Sequence, residues 1–452
     1  MGDVNVKDYK FVHFVGIGGI SMSGIAKVLL NNGVRVSGSD KNESSTINEL
    51  RQLGAEVSIG HSAANITNQD LVVYTAAASG DNPEIVCARS KGMEVVDRAT
   101  ILGWIMQDYA NAVSVAGTHG KTTTTSMMTY IMMKAMLDPT VMVGGNLDII
   151  DGNFLMGNSD YFVTETCEYC RSFLKFYPKY AIILNVEEDH LDYYKDLDDI
   201  IDAFTDFAAI VPEDGCVVVP AQSENAMRCL GKVRGKIATF GTSDADYTAA
   251  NIRYTEYGYP VFDVMHNGEV IVSPELSVPG EHNVLNATAC VACAHAMGID
   301  MKYVKEGLSA FTGTKRRFEK KGFVNGALVI DDYAHHPTEI KATLDAVARV
   351  SHNKLWCIFQ PHTYTRTYTL FDDFVSVLSQ TPNVIVADIY AAREKDTGLV
   401  SSKQLADKIP GAVFMKEFGE IENYIRVNAA AGDIVLTIGA GNVVDIADNL
   451  VK

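Results

Sequence analysis

Positive charge is what this sequence is short of. Lysine and arginine number 38 against 56 aspartates and glutamates, a formal net charge of −18 over 452 residues. Such an acidic balance argues against nucleic acid or an anionic membrane as the main partner. Long apolar runs are also missing, since none reaches the ~18 residues that a membrane span needs. The polar stretch Met1-Gly2-Asp3-Val4-Asn5-Val6-Lys7-Asp8 lacks the apolar core of a signal peptide. A cytoplasmic protein is expected. No internal repeat and no low-complexity segment occurs, which excludes a repeat array. Proline is scarce, at 12 residues against 36 glycines, a balance that suits an α/β enzyme with many glycine turns. The eight cysteines are dispersed. Cys167/Cys170 and Cys290/Cys293 have C-x-x-C spacing, but the second pair falls in the helical run 286–295, where i,i+3 marks one packed face. No zinc is expected, and the thiols read as reduced core or near-site groups.

What is present is strand–helix alternation, on a chain long enough for about three domains. Residues 10–16 read as a buried strand that turns through Gly16-Ile17-Gly18-Gly19-Ile20-Ser21 into a helix, Met22–Asn31. A second strand, 34–40, ends on Asp40. This is nearly the dinucleotide fingerprint, with Ser21 in place of the third glycine and Asp40 near the ribose-binding position. Taken alone it suggests NAD. After further alternation to Tyr109 and a linker at 108–111, the apolar run 112–116 leads into Gly117-Thr118-His119-Gly120-Lys121-Thr122-Thr123 and a helix from Thr122 to Met136. A glycine turn between strand and helix gathers backbone N–H groups where the helix dipole favours anions. Lys121 adds a mobile positive charge and Thr122 a hydroxyl suited to a nucleotide-bound Mg²⁺. The general P-loop pattern is missed by one residue, because its first glycine falls at Val115. Strands follow at 140–144, 161–166, 181–186 and 216–220, then a β-meander over 247–278 with an Asn267-Gly268 turn, and a helix from Asn283 to Met297. A third α/β unit has strands at 327–331, 355–360, 384–389 and 434–439. The expected fold is therefore α/β in three domains. These are a Rossmann-like N-terminal domain (1–108), a central P-loop-type domain with a small β-meander (109–313) and a C-terminal Rossmann-like α/β domain (314–452).

Parallel sheets deliver functional groups at the carboxyl ends of their strands. Glu165 ends one strand and is placed to reach a metal beside the phosphate turn. The run Glu187-Glu188-Asp189-His190-Leu191-Asp192 follows the next, either as a second cation site or as a solvated acidic loop. His282, Asn283 and Asn286 open a helix, as caps or as readers of an adenine edge. Arg316-Arg317-Phe318-Glu319 offers cations in the second linker, Asp331-Asp332-Tyr333-Ala334-His335-His336-Pro337 loads one strand-to-helix turn with titratable groups, and Arg366 follows a strand with a fork able to clamp a carboxylate.

Taken in order, the motifs 117–123, 187–192, 280–287 and 331–337 resemble the Mur ligases over essentially the whole chain, and residues 16–22 and 316–318 resemble the alanine-adding branch. The resemblance implies ATP-dependent amide formation in peptidoglycan precursor synthesis, joining L-alanine to the lactate carboxylate of UDP-N-acetylmuramate through an acyl phosphate. It implies ATP held by Gly117, Thr118, His119, Gly120, Lys121, Thr122 and Thr123, with one Mg²⁺ (Mn²⁺ as an alternative ion) on Thr122 and Glu165 and a second on His190. Adenine falls to His282, Asn283 and Asn286, and Arg317 with Asp331 or Asp332 completes the ATP site. Tyr333, His335 and Arg366 are assigned to alanine and the acyl phosphate, with Lys121, His190, Arg317 and His335 as the catalytic set. The turn of Gly16, Gly18, Gly19 and Ser21, with Asp40, then cradles the UDP diphosphate, and NAD drops out. The residues depart from the family at Glu165-Thr166-Cys167-Glu168, where two acids are replaced, and at Thr363, where relatives carry arginine. The run 202–210 contains no lysine, so the carbamylated lysine of several relatives has no counterpart there. A monomer or homodimer acting on small molecules is expected. The competing readings are a recycling ligase that adds a preformed tripeptide, an NAD-dependent oxidoreductase, and a P-loop regulator or motor.

Overall fold

The computed structural model describes residues 6–75, 77–191, 193–255, 258–392, 394–396 and 398–452. The chain divides into two compact units. The first comprises residues 1–250, 264–272 and 286–308, and the second comprises 251–263, 273–285 and 309–452.

The first unit begins with β1 (Phe11–Val15), β2 (Arg35–Asp40), β3 (Glu56–Ile59), β4 (Leu71–Tyr74) and β5 (Glu94–Asp97). They form a wholly parallel sheet in the order β3-β2-β1-β4-β5. β1 and β4 adjoin where the winding reverses, so the turn after β1 opens into the crevice where open α/β sheets bind ligands. Helix Ile20–Asn31 follows that turn.

A larger sheet follows, built from β6 (Asn111–Ala116), β7 (Thr140–Leu147), β8 (Gly152–Leu155), β9 (Tyr161–Glu165), β10 (Tyr180–Ile183), β11 (Cys216–Pro220), β12 (Lys236–Gly241), β13 (Tyr247–Tyr254), β14 (Pro260–His266) and β15 (Glu269–Val272). Its order is β15-β14-β13-β12-β11-β10-β6-β9-β7-β8. β6 lies between β9 and β10 and parallel to both, which makes its carboxyl end this sheet's reversal point. One apolar cluster runs from Phe14 of the first sheet to Phe162 of the second and to Phe204 on the helix Leu197–Ile210, and Lys175 pairs with Asp97 across the same join. Where a meander is expected, β13 adjoins β12 in parallel and β14 next to it, and β14 and β15 form an antiparallel hairpin at Asn267-Gly268, both with positive φ.

The second unit holds β16 (Glu319–Val324), β17 (Ala327–Asp332), β18 (Leu355–Phe359), β19 (Val384–Val386), β20 (Val413–Phe414) and β21 (Ile434–Ile438). Their order is β16-β17-β21-β18-β19-β20, with β16 antiparallel to its neighbour and the others parallel. Among the described residues no helix is long and apolar enough to cross a membrane.

Candidate active site

β6 is buried at five of its six positions, as expected for a parallel strand covered on both faces, and it delivers the glycine turn to the sheet's reversal point. Gly120 adopts φ +83° and is the N-cap of helix Lys121–Lys134, a left-handed conformation that costs an L side chain roughly 1 kcal/mol or more. Because the cap is a glycine, no side chain caps the first N–H groups of that helix. Asn185, just beyond β10, fastens the turn. Its Oδ1 accepts from His119 N at 2.7 Å, its Nδ2 donates to His119 O at 3.1 Å, and its carbonyl accepts from Thr118 N at 3.3 Å. Thr118 Oγ1 accepts from Glu187 N at 3.0 Å. The strand expected over 181–186 therefore ends at Ile183, since the following backbone is used to hold the turn.

Lys121 is not the mobile charge expected from the sequence. Its Nζ donates to Gly117 O at 2.5 Å and Thr118 O at 3.1 Å, and pairs with Glu168 at 3.0 Å. Burial works against both charges, yet each partner outweighs it: Glu168 holds Lys121 above the usual lysine range, and Lys121 with His190 holds Glu168 below the usual carboxylate range. Both are ionised.

The cation-binding candidates converge on the same strand ends. Thr122 Oγ1 donates to Glu165 Oε2 at 2.7 Å. Glu165 reaches that position because residue 144 is glycine, where a Cβ would stand 1.9 Å from Glu165 Oε1. Glu168, Asp189 and His190 present ligand atoms all within 4.8 Å of one another. His190 sits at φ +55° and packs on the Tyr169 ring, centroids 4.8 Å apart. Its Nε2 lies 3.6 Å from Glu168 Oε1 and 3.8 Å from Asp189 Oδ2. Carboxylates with a hydroxyl and one imidazole suit a hard divalent cation. Burial pushes the Cys167 thiol up to about 11 and also raises Cys290 and Cys293, so with no ion bound these thiols are protonated. Asp189 belongs to the run expected as a second cation site, whereas Glu168 and Asn185 were given no role in the predicted site. Glu168 and Asp189 each lie within a few residues of a parallel strand's carboxyl end, a signal the sequence carried; Asn185 is disguised as part of an apolar run. Asp192 lies outside the described residues.

At the carboxyl end of β1, Gly18 N donates to Asp40 Oδ2 at 2.9 Å and Gly19 N to Gly16 O at 3.2 Å. Asp40 thus engages the turn itself. Asn286 stands beside the phosphate turn, where a Cβ on Gly120 would meet its Oδ1 at 3.1 Å. His282 and Asn283 share the helix Glu281–Ala296 with Asn286 but belong to the second unit, where Asn283 Nδ2 donates to Pro279 O at 2.7 Å.

In the second unit the predicted acids act as clasps. Asp332 accepts from Phe318 N and Ala334 N, each at 2.8 Å. Asp331 accepts from Thr437 Oγ1 at 2.7 Å and Arg316 Nε at 3.1 Å. Burial pushes Asp332 up to about 6 against the pull of Arg317 and two backbone N–H groups. Tyr333 lies under both arginines, 4.8 Å from Arg316 and 5.1 Å from Arg317. Glu339, also absent from the prediction, accepts from His335 N at 3.0 Å and His336 N at 3.3 Å, and stands 3.8 Å from Arg317. His335 is held below the usual imidazole range, chiefly by burial, so it is neutral near pH 7. Arg366 Nη1 lies 3.2 Å from His362 Nδ1, in the first turn of the helix Tyr364–Thr369 that follows β18.

Three consecutive family matches account for most of the chain: the Mur ligase family catalytic domain over residues 11–110, the Mur ligase middle domain over 115–294 and the Mur ligase glutamate ligase domain over 316–441. The chain belongs to the Mur ligase family, whose members are ATP-dependent ligases. Within it, the UDP-N-acetylmuramate–L-alanine ligase of Clostridium botulinum is 49% identical over 443 residues, 97% of each chain, and that of Clostridium acetobutylicum is likewise 49% identical. Among solved structures, the UDP-N-acetylmuramate–alanine ligase of Thermotoga maritima superposes with a TM-score of 0.81 at 33% identity, covering 98% of each chain. A murein peptide ligase of Psychrobacter arcticus gives 0.71 at 27% identity, again over 98% of each.

Proposed function

We propose that this protein joins L-alanine to the lactate carboxylate of UDP-N-acetylmuramate at the expense of ATP, a step of peptidoglycan precursor synthesis in the cytoplasm. The supporting observation is the convergence of a phosphate turn, an ionised lysine and two candidate cation positions (Thr122 with Glu165, and Glu168 with Asp189 and His190) at the ends of β6, β9 and β10, in a chain 49% identical to alanine-adding ligases. We assign residues 1–108 to the UDP substrate, with Gly16, Gly18, Gly19, Ser21 and Asp40 around its diphosphate. Residues 109–313 take ATP on the turn 117–123, with adenine against His282, Asn283 and Asn286. Residues 314–452 supply Arg317 to the phosphates and Tyr333, His335 and Arg366 to the amino acid.

A carboxylate resists attack by an amine until one oxygen becomes part of a leaving group. The lactate oxygen attacks the γ-phosphorus and ADP departs. The alanine nitrogen then attacks the acyl carbon, and collapse of the tetrahedral adduct expels phosphate while the nitrogen loses its proton. The barrier is met chiefly by positioning and by charge placed where phosphoryl oxygens gain it. Lys121 would exchange its carbonyl partners for phosphate oxygens. Thr122 and Glu165 would hold one Mg²⁺, or Mn²⁺, and His190 a second, and divalent ions there would neutralise charge on the transferring group. Neutral His335 would be competent to accept the amine proton. This chemistry uses neither NAD nor zinc.

Phosphate release from ATP tests the reading. Release is expected only with UDP-N-acetylmuramate and L-alanine together, and glycine or L-serine should serve less well. Release with the tripeptide but not with alanine would identify a recycling ligase, and reduction of NAD by any substrate would sink the assignment altogether.

A further inference from the structure

The five-stranded sheet contains a buried acid that the proposed chemistry leaves unused. Glu84 enters the helix Pro83–Ser90 one residue after its first proline and is fully buried, as is Ser39 at the end of β2. No lysine or arginine pairs with this carboxylate among the described residues. It instead collects donors from three parts of the chain. Ser39 Oγ donates to Oε2 at 2.6 Å, Asn65 Nδ2 to Oε1 at 2.5 Å and Ser62 N to Oε1 at 3.3 Å. His61 Nδ1 stands 3.3 Å from Oε2 and 2.8 Å from Ser39 Oγ, and His13 Nε2, on β1, lies 3.8 Å away. Against burial, the neighbouring His13 first and then the Ser39 and Asn65 donors hold the carboxyl at about 2, so it is ionised. An ionised carboxylate in such a place costs several kcal/mol unless its donors are arrayed around it.

The network is tied to the first glycine turn at one residue. The Ser39 carbonyl accepts from Gly16 N at 2.8 Å and Ile17 N at 3.0 Å, and the next residue, Asp40, receives Gly18 N. Ser39 therefore faces Glu84 through its hydroxyl and the turn through its backbone. We infer that Glu84 is a positioning residue for the nucleotide-diphosphate turn 16–21, acting through Ser39 rather than touching substrate. The inference rests on that turn being the UDP cradle. A glutamine at 84 would keep one acceptor oxygen but direct an NH₂ at donors, which displaces Ser39 and with it the two N–H groups that begin the turn.

The experiment is steady-state phosphate release by the full chain with Glu84→Gln, Ser39→Ala and the double variant, with inhibition by UDP and by uridine measured alongside. The expected result is a KM for UDP-N-acetylmuramate raised about tenfold in each single variant, the scale of a ~1.4 kcal/mol misplacement. kcat and KM for ATP should stay within about twofold. UDP should lose affinity while uridine does not, and the double variant should be no worse than the weaker single one, because both changes break one path. A lowered melting temperature with KM unchanged would overturn the inference, as would effects that multiply in the double variant. If Glu84→Gln fails to fold, Glu84→Asp and Ser39→Ala decide on the same criteria. Failure of UDP to compete with UDP-N-acetylmuramate in the unmodified protein would instead refute the cradle reading beneath it.

Discussion

A single missing atom shapes the cation site. Gly144 leaves room for the Glu165 carboxylate, and a methyl there would demand the space of Oε1, 1.9 Å from its own position. Since Glu165 Oε2 also accepts from Thr122 Oγ1, moving the carboxylate disturbs both oxygens near the nucleotide's ion. Gly144→Ala is expected to lower kcat at least about tenfold and to raise the Mg²⁺ concentration for half-maximal activity, since a misplacement of ~1 Å commonly costs that much or more. UDP-substrate binding should be spared, because its assigned turn lies on another sheet. Titrating activity against Mg²⁺ checks this. Unaltered ion dependence would mean that Glu165 is not a ligand.

Among elements, the segment 316–318 and the turn after β17 are clasped by Asp332, whose burial raises it to about 6 from ~3.9 in an unfolded chain. A carboxyl raised on folding binds its proton more tightly in the folded state. The stability it contributes is fully present below about pH 4 and is lost as pH rises through about 6. The groups facing it are Arg317 and Glu339. Urea unfolding of the protein and of Asp332→Asn should show the balance moving in the variant's favour by up to about 3 kcal/mol between pH 4 and pH 7. A constant difference would show that Asp332 does not titrate in this window. The aspartate's type and position were legible in the sequence, but its clasp was not, because the donors on Phe318 and Ala334 depend on the fold. The same limit hid the Lys121–Glu168 pair, whose partners stand 47 residues apart. Buried parallel strands such as β1, β6 and β9 were easy to find as short apolar runs closed by glycine or an acid. β16 was missed because Glu319-Lys320-Lys321-Gly322 is polar or side-chain-free on both faces of an edge strand, which leaves no apolar alternation to read. Its hairpin signal was nonetheless present: Asn325 and Gly326 take φ +50° and +80°, the two left-handed positions that a tight hairpin turn requires.

For the whole molecule the informative boundary is the one that the cores do not respect. Sequence motifs suggest a break near residue 108, yet a single apolar cluster joins Phe14 to Phe162 and Phe204, and Asp97 pairs with Lys175 across it. Separate cores gather Ile330 and Phe359, and Ile358 and Ile446, in the second unit. Segments that share a core open together, and a ligand stabilises every amide that exchanges only through that opening. UDP at about 100 times its dissociation constant adds about 2.7 kcal/mol to such an opening, roughly a hundredfold slowing. Native-state hydrogen exchange should therefore show UDP slowing the slowest amides of β6 and β9 as strongly as those of β1 and β4, with β17 and β21 unchanged. Protection confined to residues 11–106 would mean that the first sheet folds and unfolds alone. The shared cluster would then be a docking surface, with too little cooperativity to transmit substrate binding to the strands that carry the phosphate turn.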